Sequence, residues 1–201
     1  MQIELGNWGT RPRLYIAVEK QILFIQGGGA GAHRLDQSLV GYLRGALGGS
    51  YEVRYPEMPN ESDPDYPLWQ ARIRNELMML SGDVILIGHS LGGSFLLKYL
   101  SEERAGTTIA GIFLIAAPYW GGNGWRYEGH ERVALRQDFA SRLPPETPLF
   151  LYHSRDDEIV PFAHLNLYAE KLPVAAIRDV DERGHQFAGD LSEVVADIRS
   201  L

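Results

Sequence analysis

Residues Asp83 to Gly93 read DVILIGHSLGG: an apolar run of strand character passes directly into a serine flanked by glycines, and helix-spaced apolar residues follow. Glycines two before and two after a serine are needed where a strand turns so sharply into a helix that a side chain would strike neighbouring backbone. Gly88 and Gly92 stand at those positions around Ser90. The rest of the chain repeats the same alternation of apolar run, turn signal and helix-spaced positions, the pattern that builds a parallel α/β sheet.

The runs rich in β-branched and aromatic residues are Leu14 to Val18, Ile22 to Gln26, Tyr51 to Tyr55, Asp83 to Gly88, Ile109 to Ala116, Leu149 to His153 and Val174 to Val180, the first read as an edge strand. Between them Leu35, Leu39, Leu43 and Leu47 recur every fourth residue. Trp69, Ile73, Leu77 and Leu80 do nearly the same after Asp-Pro-Asp-Tyr-Pro, so each set predicts a helix with one buried face. A helix after Ser90 has Leu91, Leu97 and Leu100 available inward, and further helices are expected over Glu131 to Ser141 and Phe162 to Leu172. The last, Phe187 to Leu201, carries Phe187, Leu191, Val194, Val195, Ile198 and Leu201 at the 3.6-residue period. Pro118 to His130, PYWGGNGWRYEGH, has no period and reads as a loop whose aromatics Tyr119, Trp120, Trp125 and Tyr127 either line a pocket or cover one end of the sheet.

Composition removes several function classes. The 201 residues carry 19 Lys and Arg against 26 Asp and Glu, a net charge of −7, so no basic face is available for nucleic acid or an anionic membrane. Cysteine is absent, which excludes disulfide frameworks, thiolate metal sites and a cysteine nucleophile, and fits a reducing compartment. The opening MQIELGNWGTRPR lacks the features of an export signal, so a cytoplasmic location is expected. Ile109 to Pro118, the longest nearly apolar run, is about half of the roughly 20 residues a membrane-spanning helix requires.

Ser90 is the candidate nucleophile, placed where the positive end of the following helix meets charge developing during acyl transfer. A serine hydroxyl is a weak nucleophile on its own; an imidazole must take its proton and an acid must hold that imidazole in the right tautomer. HSRDDEIVPF, His153 to Phe162, offers Asp156 or Asp157 after a strand, and DERGHQF, Asp181 to Phe187, offers His185 after the last strand. Asp138, after the preceding strand, is a more distant alternative for the acid. The order Ser, Asp, His is the one associated with the α/β-hydrolase arrangement. An oxyanion site needs two backbone N–H groups, for which Leu91, after the nucleophile, and Gly28, in the early glycine turn, are the candidates, with Gly29 close behind. That glycine turn lacks both G-x-G-x-x-G and a Gly-Lys-Ser/Thr ending, which argues against nucleotide binding. No H-E-x-x-H or similar spacing points to a metal.

The elbow GHSLGG, the DDEIVP turn and the late RGHQF resemble the α/β-hydrolase superfamily. The Met58-Pro59-Asn60 turn and Trp69, with only a minimal segment between Ala117 and Pro148, are similar to its small serine hydrolases of the retinoblastoma-binding-protein and YdeN type. The resemblance covers about Ile22 to Leu201. It implies a single α/β-hydrolase domain over residues 1–201, with a mostly parallel central sheet of six to seven strands, helices on both faces and minimal or no cap. It also implies action on a small-molecule carboxylic ester without metal or organic cofactor, and an acid four residues before the proline of D-x-x-V-P, hence Asp157. The chain departs from the superfamily after the first central strand, where Gln26-Gly27-Gly28-Gly29 replaces the frequent His-Gly.

Each assignment has a plainer counterpart. Ser90 could cap a helix, His185 could be a solvated loop residue, and Asp156 could cap a turn. His33, Trp120, Trp125 and Phe162 are candidate pocket residues, with His33 equally at home as a surface residue ahead of a helix. His89 reads as structural within the elbow, His153 as packed against the acid turn, His164 as a helix residue and His130 as part of the aromatic loop. The short connection where larger relatives carry a cap predicts an open pocket for short or medium acyl groups, and thioesters and amides would use the same machinery. A binding protein that keeps the fold is the rival class; it has no physical need for Ser90, Asp157 and His185 together with both elbow glycines.

Overall fold

Strands that are apolar along their whole length need cover on both faces, and the helices supply it. The computed structural model describes residues 20–122, 125 and 130–201. Its six strands are β1 (Lys20–Ile25), β2 (Tyr51–Arg54), β3 (Asp83–His89), β4 (Thr108–Ile115), β5 (Leu149–Ser154) and β6 (Ala176–Val180). They form one sheet in the order β2-β1-β3-β4-β5-β6, and all five pairings are parallel. From β1 the chain steps outward on one side to β2 and then crosses to β3 on the other. The loops leaving the C-terminal ends of β1 and β3 therefore diverge, and parallel sheets bind ligands in the crevice such a reversal opens.

Helices α1 (Ala32–Leu47) and α5 (Ser192–Arg199) cover one face. There Leu39, Val40, Leu43, Val194 and Ile198 pack with Ile22, Phe24, Ile85 and Ile87. Helices α2 (Tyr66–Met78), α3 (Leu91–Glu102) and α4 (Ala163–Lys171) cover the other, where Trp69, Ile73, Phe95, Leu97 and Leu165 meet Leu23, Ile25 and Leu86. Alternate residues of β1 and β3 thus serve opposite cores, each fully buried side chain contributing roughly 1.5–3 kcal/mol of transfer free energy. No described helix is long and apolar enough to cross a membrane.

The expected edge strand Leu14 to Val18 lies outside the described residues. Four other expectations change. Leu35 is exposed, because the buried stripe of α1 runs through Ala32, Asp36, Leu39, Val40, Leu43 and Leu47 and so takes in an aspartate instead. Glu131 to Ser141 is not a helix but two short 3-10 turns, His130–Arg132 and Phe139–Arg142. Val133 and Leu135, two residues apart, both pack on the same core, whereas a helix would turn them to different sides. The final helix starts at Ser192, not Phe187: Phe187 and Ala188 take left-handed backbone, and Ala188 N–H donates to the Arg183 carbonyl at 2.8 Å. The boundary of β6 also moves, to Ala176, leaving Val174 91% exposed.

Candidate active site

Ser90 sits between β3 and α3 with φ 50° and ψ −127°, a conformation an L-residue adopts only under constraint. The constraint is visible in the flanking glycines. A Cβ on Gly88 would lie 2.5 Å from Gly93 Cα, and one on Gly92 would lie 2.1 Å from the Gln26 carbonyl oxygen. Both obstacles are backbone, so no side-chain adjustment relieves them. The turn leaves Ser90 partly exposed among buried neighbours, and among the described residues its hydroxyl is in no hydrogen bond. Catalytic hydrogen bonds of free enzymes commonly tighten only when substrate arrives.

The acid turn follows β5 and the histidine loop follows β6, and the structure brings Asp157 and His185 together. His185 Nδ1 lies 3.0 Å from Asp157 Oδ1 and 2.9 Å from Oδ2. The same carboxylate accepts the Ile159 and Val160 amides at 2.9 and 2.8 Å, and His153 Nε2 stands 3.2 Å from Oδ2. Burial pushes this carboxyl up, but the hydrogen bonds from His153 and His185 outweigh it and hold the group well below the usual carboxylate range. Asp156 points elsewhere. Its Oδ1 accepts from Ser154 Oγ and from the Arg183 and Gly184 amides, anchoring the loop just ahead of His185. Asp138, the distant alternative, is tied at the surface to Arg136 and Arg142, which lower its carboxyl to about 2.

The glycine turn after β1 packs against the elbow. A Cβ on Gly28 would lie 3.3 Å from Leu91 Cβ and 2.4 Å from Leu91 Cδ2, so these two residues are in direct apposition. The neighbouring amides are already engaged: Gly27 N–H donates to Asp36 Oδ2 at 2.8 Å and Gly29 N–H to the Glu61 carbonyl at 2.6 Å. Among the described residues the Gly28 amide has no such partner. Gln26, the departure from His-Gly, works as a tie. Its Oε1 accepts the Met58 amide and its Nε2 donates to Glu61 Oε2, whose carboxylate also takes the Gly31 and His33 amides.

The pocket candidates separate into groups. Trp120 Nε1 donates to Ser94 Oγ at 3.2 Å, one helical turn beyond Ser90. Trp125 stands 5.2 Å from Trp120 and edge-on to His164 at 5.0 Å. Phe162 lies edge-on to His153 at 5.8 Å, beneath the Arg155 guanidinium. His33 is not in that group; it stacks on Tyr55 at 4.4 Å. Tyr127 lies outside the described residues.

A family model described as serine hydrolase matches residues 42–189, which take in the elbow, the acid turn and His185. The chain belongs to the serine hydrolase family. Among solved structures, the ydeN gene product from B. subtilis superposes on this serine hydrolase with a TM-score of 0.66 at 20% identity, over 90% of this chain and 97% of that one. Est1E from Butyrivibrio proteoclasticus gives 0.66 at 15% identity, over 92% and 86% of the two chains. At those identities the likeness establishes the α/β-hydrolase fold. A curated relative, the lysosomal phospholipase A and acyltransferase of Bos taurus, is 31% identical over 100 residues. That match covers 47% of this serine hydrolase and 24% of the bovine protein.

Sequence reasoning passed over several residues that shape this hydrolase site: Asp36, Glu61 and the tie made by Gln26. For Asp36 a signal was present, an acid on the apolar arc of α1 between Ala32 and Leu39. Glu61 had none, since its partners are amides 28 and 30 residues earlier in the chain.

Proposed function

We propose that this serine hydrolase cleaves carboxylic esters of short to medium acyl chain through a covalent acyl-enzyme formed on Ser90. The observation that carries the reading is the paired contact of the buried Asp157 carboxylate with His185 Nδ1. With Nδ1–H donated to Asp157, the lone pair of His185 is left on Nε2, the nitrogen a base needs.

His185 Nε2 takes the Ser90 Oγ proton as Oγ bonds to the ester carbonyl carbon, and the carbonyl π pair moves onto oxygen. The Gly28 and Leu91 amides, one unengaged and the other at the first residue of α3, stabilise that oxyanion. Collapse breaks the bond to the leaving alkoxide, which receives the proton from His185. Water then repeats the sequence on the acyl-enzyme: His185 takes its proton, the Oγ–C bond breaks, and the acid departs as Ser90 regains the proton. Relatives support the acyl chemistry: the bovine protein is named for phospholipase A and acyltransferase activity, and Est1E has been solved with ferulic acid bound. The short acyl range rests on the brief connection between β4 and β5.

Hydrolysis of p-nitrophenyl esters from acetate to palmitate, with fluorophosphonate labelling, tests the reading on native protein and Ser90→Ala. Labelling and turnover should both vanish in the variant, with a loss on the order of a million-fold. Native protein that neither labels nor turns over any ester would overturn the reading and favour a binding role.

A further inference from the structure

Beneath the elbow lies a second acid–histidine pair that the acyl-transfer steps do not use. His89 and Asp36 are both fully buried. His89 Nδ1 is hydrogen-bonded to Asp36 Oδ2 at 3.0 Å, and His89 Nε2 faces the His185 carbonyl oxygen at 3.0 Å. A carbonyl only accepts, so Nε2 carries a proton. Asp36 Oδ2 also accepts the Gly27 amide at 2.8 Å, a contact that favours the carboxylate form of Asp36, and toward a carboxylate Nδ1 must donate. Both ring nitrogens then donate, which a neutral imidazole cannot do.

We infer that His89 is a buried imidazolium paired with the Asp36 carboxylate, and that this pair is a positioning device fixing the oxyanion loop and the base loop to the same elbow. The inference rests on the acyl-transfer reading for its functional half and on hydrogen-bond geometry for its charge. Through Asp36 the pair holds Gly27, next to Gly28, and through Nε2 it holds the backbone of His185 itself. A strut of this kind sets the distance between the oxyanion donors and the base, a distance that β1 and β6, on opposite sides of β3, do not set directly. Burial opposes both charges, yet each is sustained by the other: Asp36 lies below its ordinary range and His89 above it. The rival form, with the proton on Asp36 and a neutral ring accepting at Nδ1, has the same heavy-atom distances, 2.9 Å to Oδ1 and 3.0 Å to Oδ2, and is the form that the first arm of the test separates from the ion pair. Removing one partner from such a pair strands a buried charge or donor, and a small displacement at a reacting centre costs on the order of 100-fold in rate.

The test has two arms. Histidine ring 15N spectra of native protein at pH 8, with the His89 signals assigned through His89→Gln, should show both nitrogens protonated. A neutral His89 ring would overturn the inference. In the second arm, Asp36→Asn, His89→Gln and the double variant are assayed on a p-nitrophenyl ester. Each should lose roughly 10- to 100-fold in kcat with KM little changed, and the double should lose no more than the worse single. Folded variants with native kcat would overturn the positioning role, as would losses confined to KM. Should the variants fail to fold, the 15N spectra of the native protein decide. Failure of the esterase reading is separable: native Ser90 would then resist fluorophosphonate, while the charge state of His89 is read without any substrate.

Discussion

Asp157 Oδ2 is shared by two imidazoles, His185 Nδ1 at 2.9 Å and His153 Nε2 at 3.2 Å. The second is itself tethered to the Val160 carbonyl at 2.8 Å and so steadies the carboxylate that the first shares. The acid is held at both oxygens, so its effect on His185 is one of tautomer and orientation.

Asp157→Asn keeps the shape but offers His185 an amide that can donate, which favours the wrong tautomer. Ester hydrolysis should fall by about 10⁴-fold, the scale of such a change in other triads. Asp156→Asn, whose side chain meets Ser154 Oγ and the backbone of the loop before His185 but not the imidazole, should cost much less. Steady-state kinetics on both variants checks the order, and equal losses would contradict the assignment of the acid.

Asp157 also makes stability depend on pH. Its folded value is depressed, so its contribution is present above the unfolded value of about 3.9 and is lost as pH falls through the lower folded value. Urea unfolding of native protein and Asp157→Asn should show native more stable at pH 6, with the gap closing in the acid range. A gap that widens on acidification would contradict this sign.

Glycines in this chain divide by what surrounds them. Gly92→Ala would drive a Cβ to 2.1 and 2.5 Å from the Gln26 and Ile25 carbonyl oxygens, and should prevent folding or cost more than about 4–5 kcal/mol. Gly41 and Gly45, inside α1 and surrounded by open space, should behave oppositely, with alanine at each gaining roughly 0.5–1 kcal/mol. Thermal unfolding of the three variants distinguishes them.

His164 is buried and pushed down to about 4, first by burial and then by His153 nearby. Its Nδ1 accepts the Tyr119 amide at 2.8 Å, which makes it the anchor of the aromatic loop. His164→Leu leaves that amide without its acceptor and should cost about 1–3 kcal/mol. Native His164 should remain neutral at pH 6 by NMR titration, and a midpoint near 6.5 would contradict its burial.

The sequence alone determined the layered parallel sheet and most of both cores, and it singled out Ser90, His185 and the acid turn as candidates, because periodicity, glycine spacing and residue order are local and steric. Gly88 and Gly92 announce their roles through what a Cβ would strike nearby. The residues themselves left Asp156 and Asp157 open and only the resemblance pointed to Asp157; the tertiary structure shows which one meets His185, since the two are adjacent in the chain and diverge only when the Arg183-Gly184 amides and His185 arrive from beyond β6. It likewise decided that Asp36 belongs beneath the elbow, 53 residues before His89, and that Val133 and Leu135 pack as an extended segment rather than a helix. Such pairings arise from contacts between distant elements, and hydrophobic period carries no record of where a polar partner will come from.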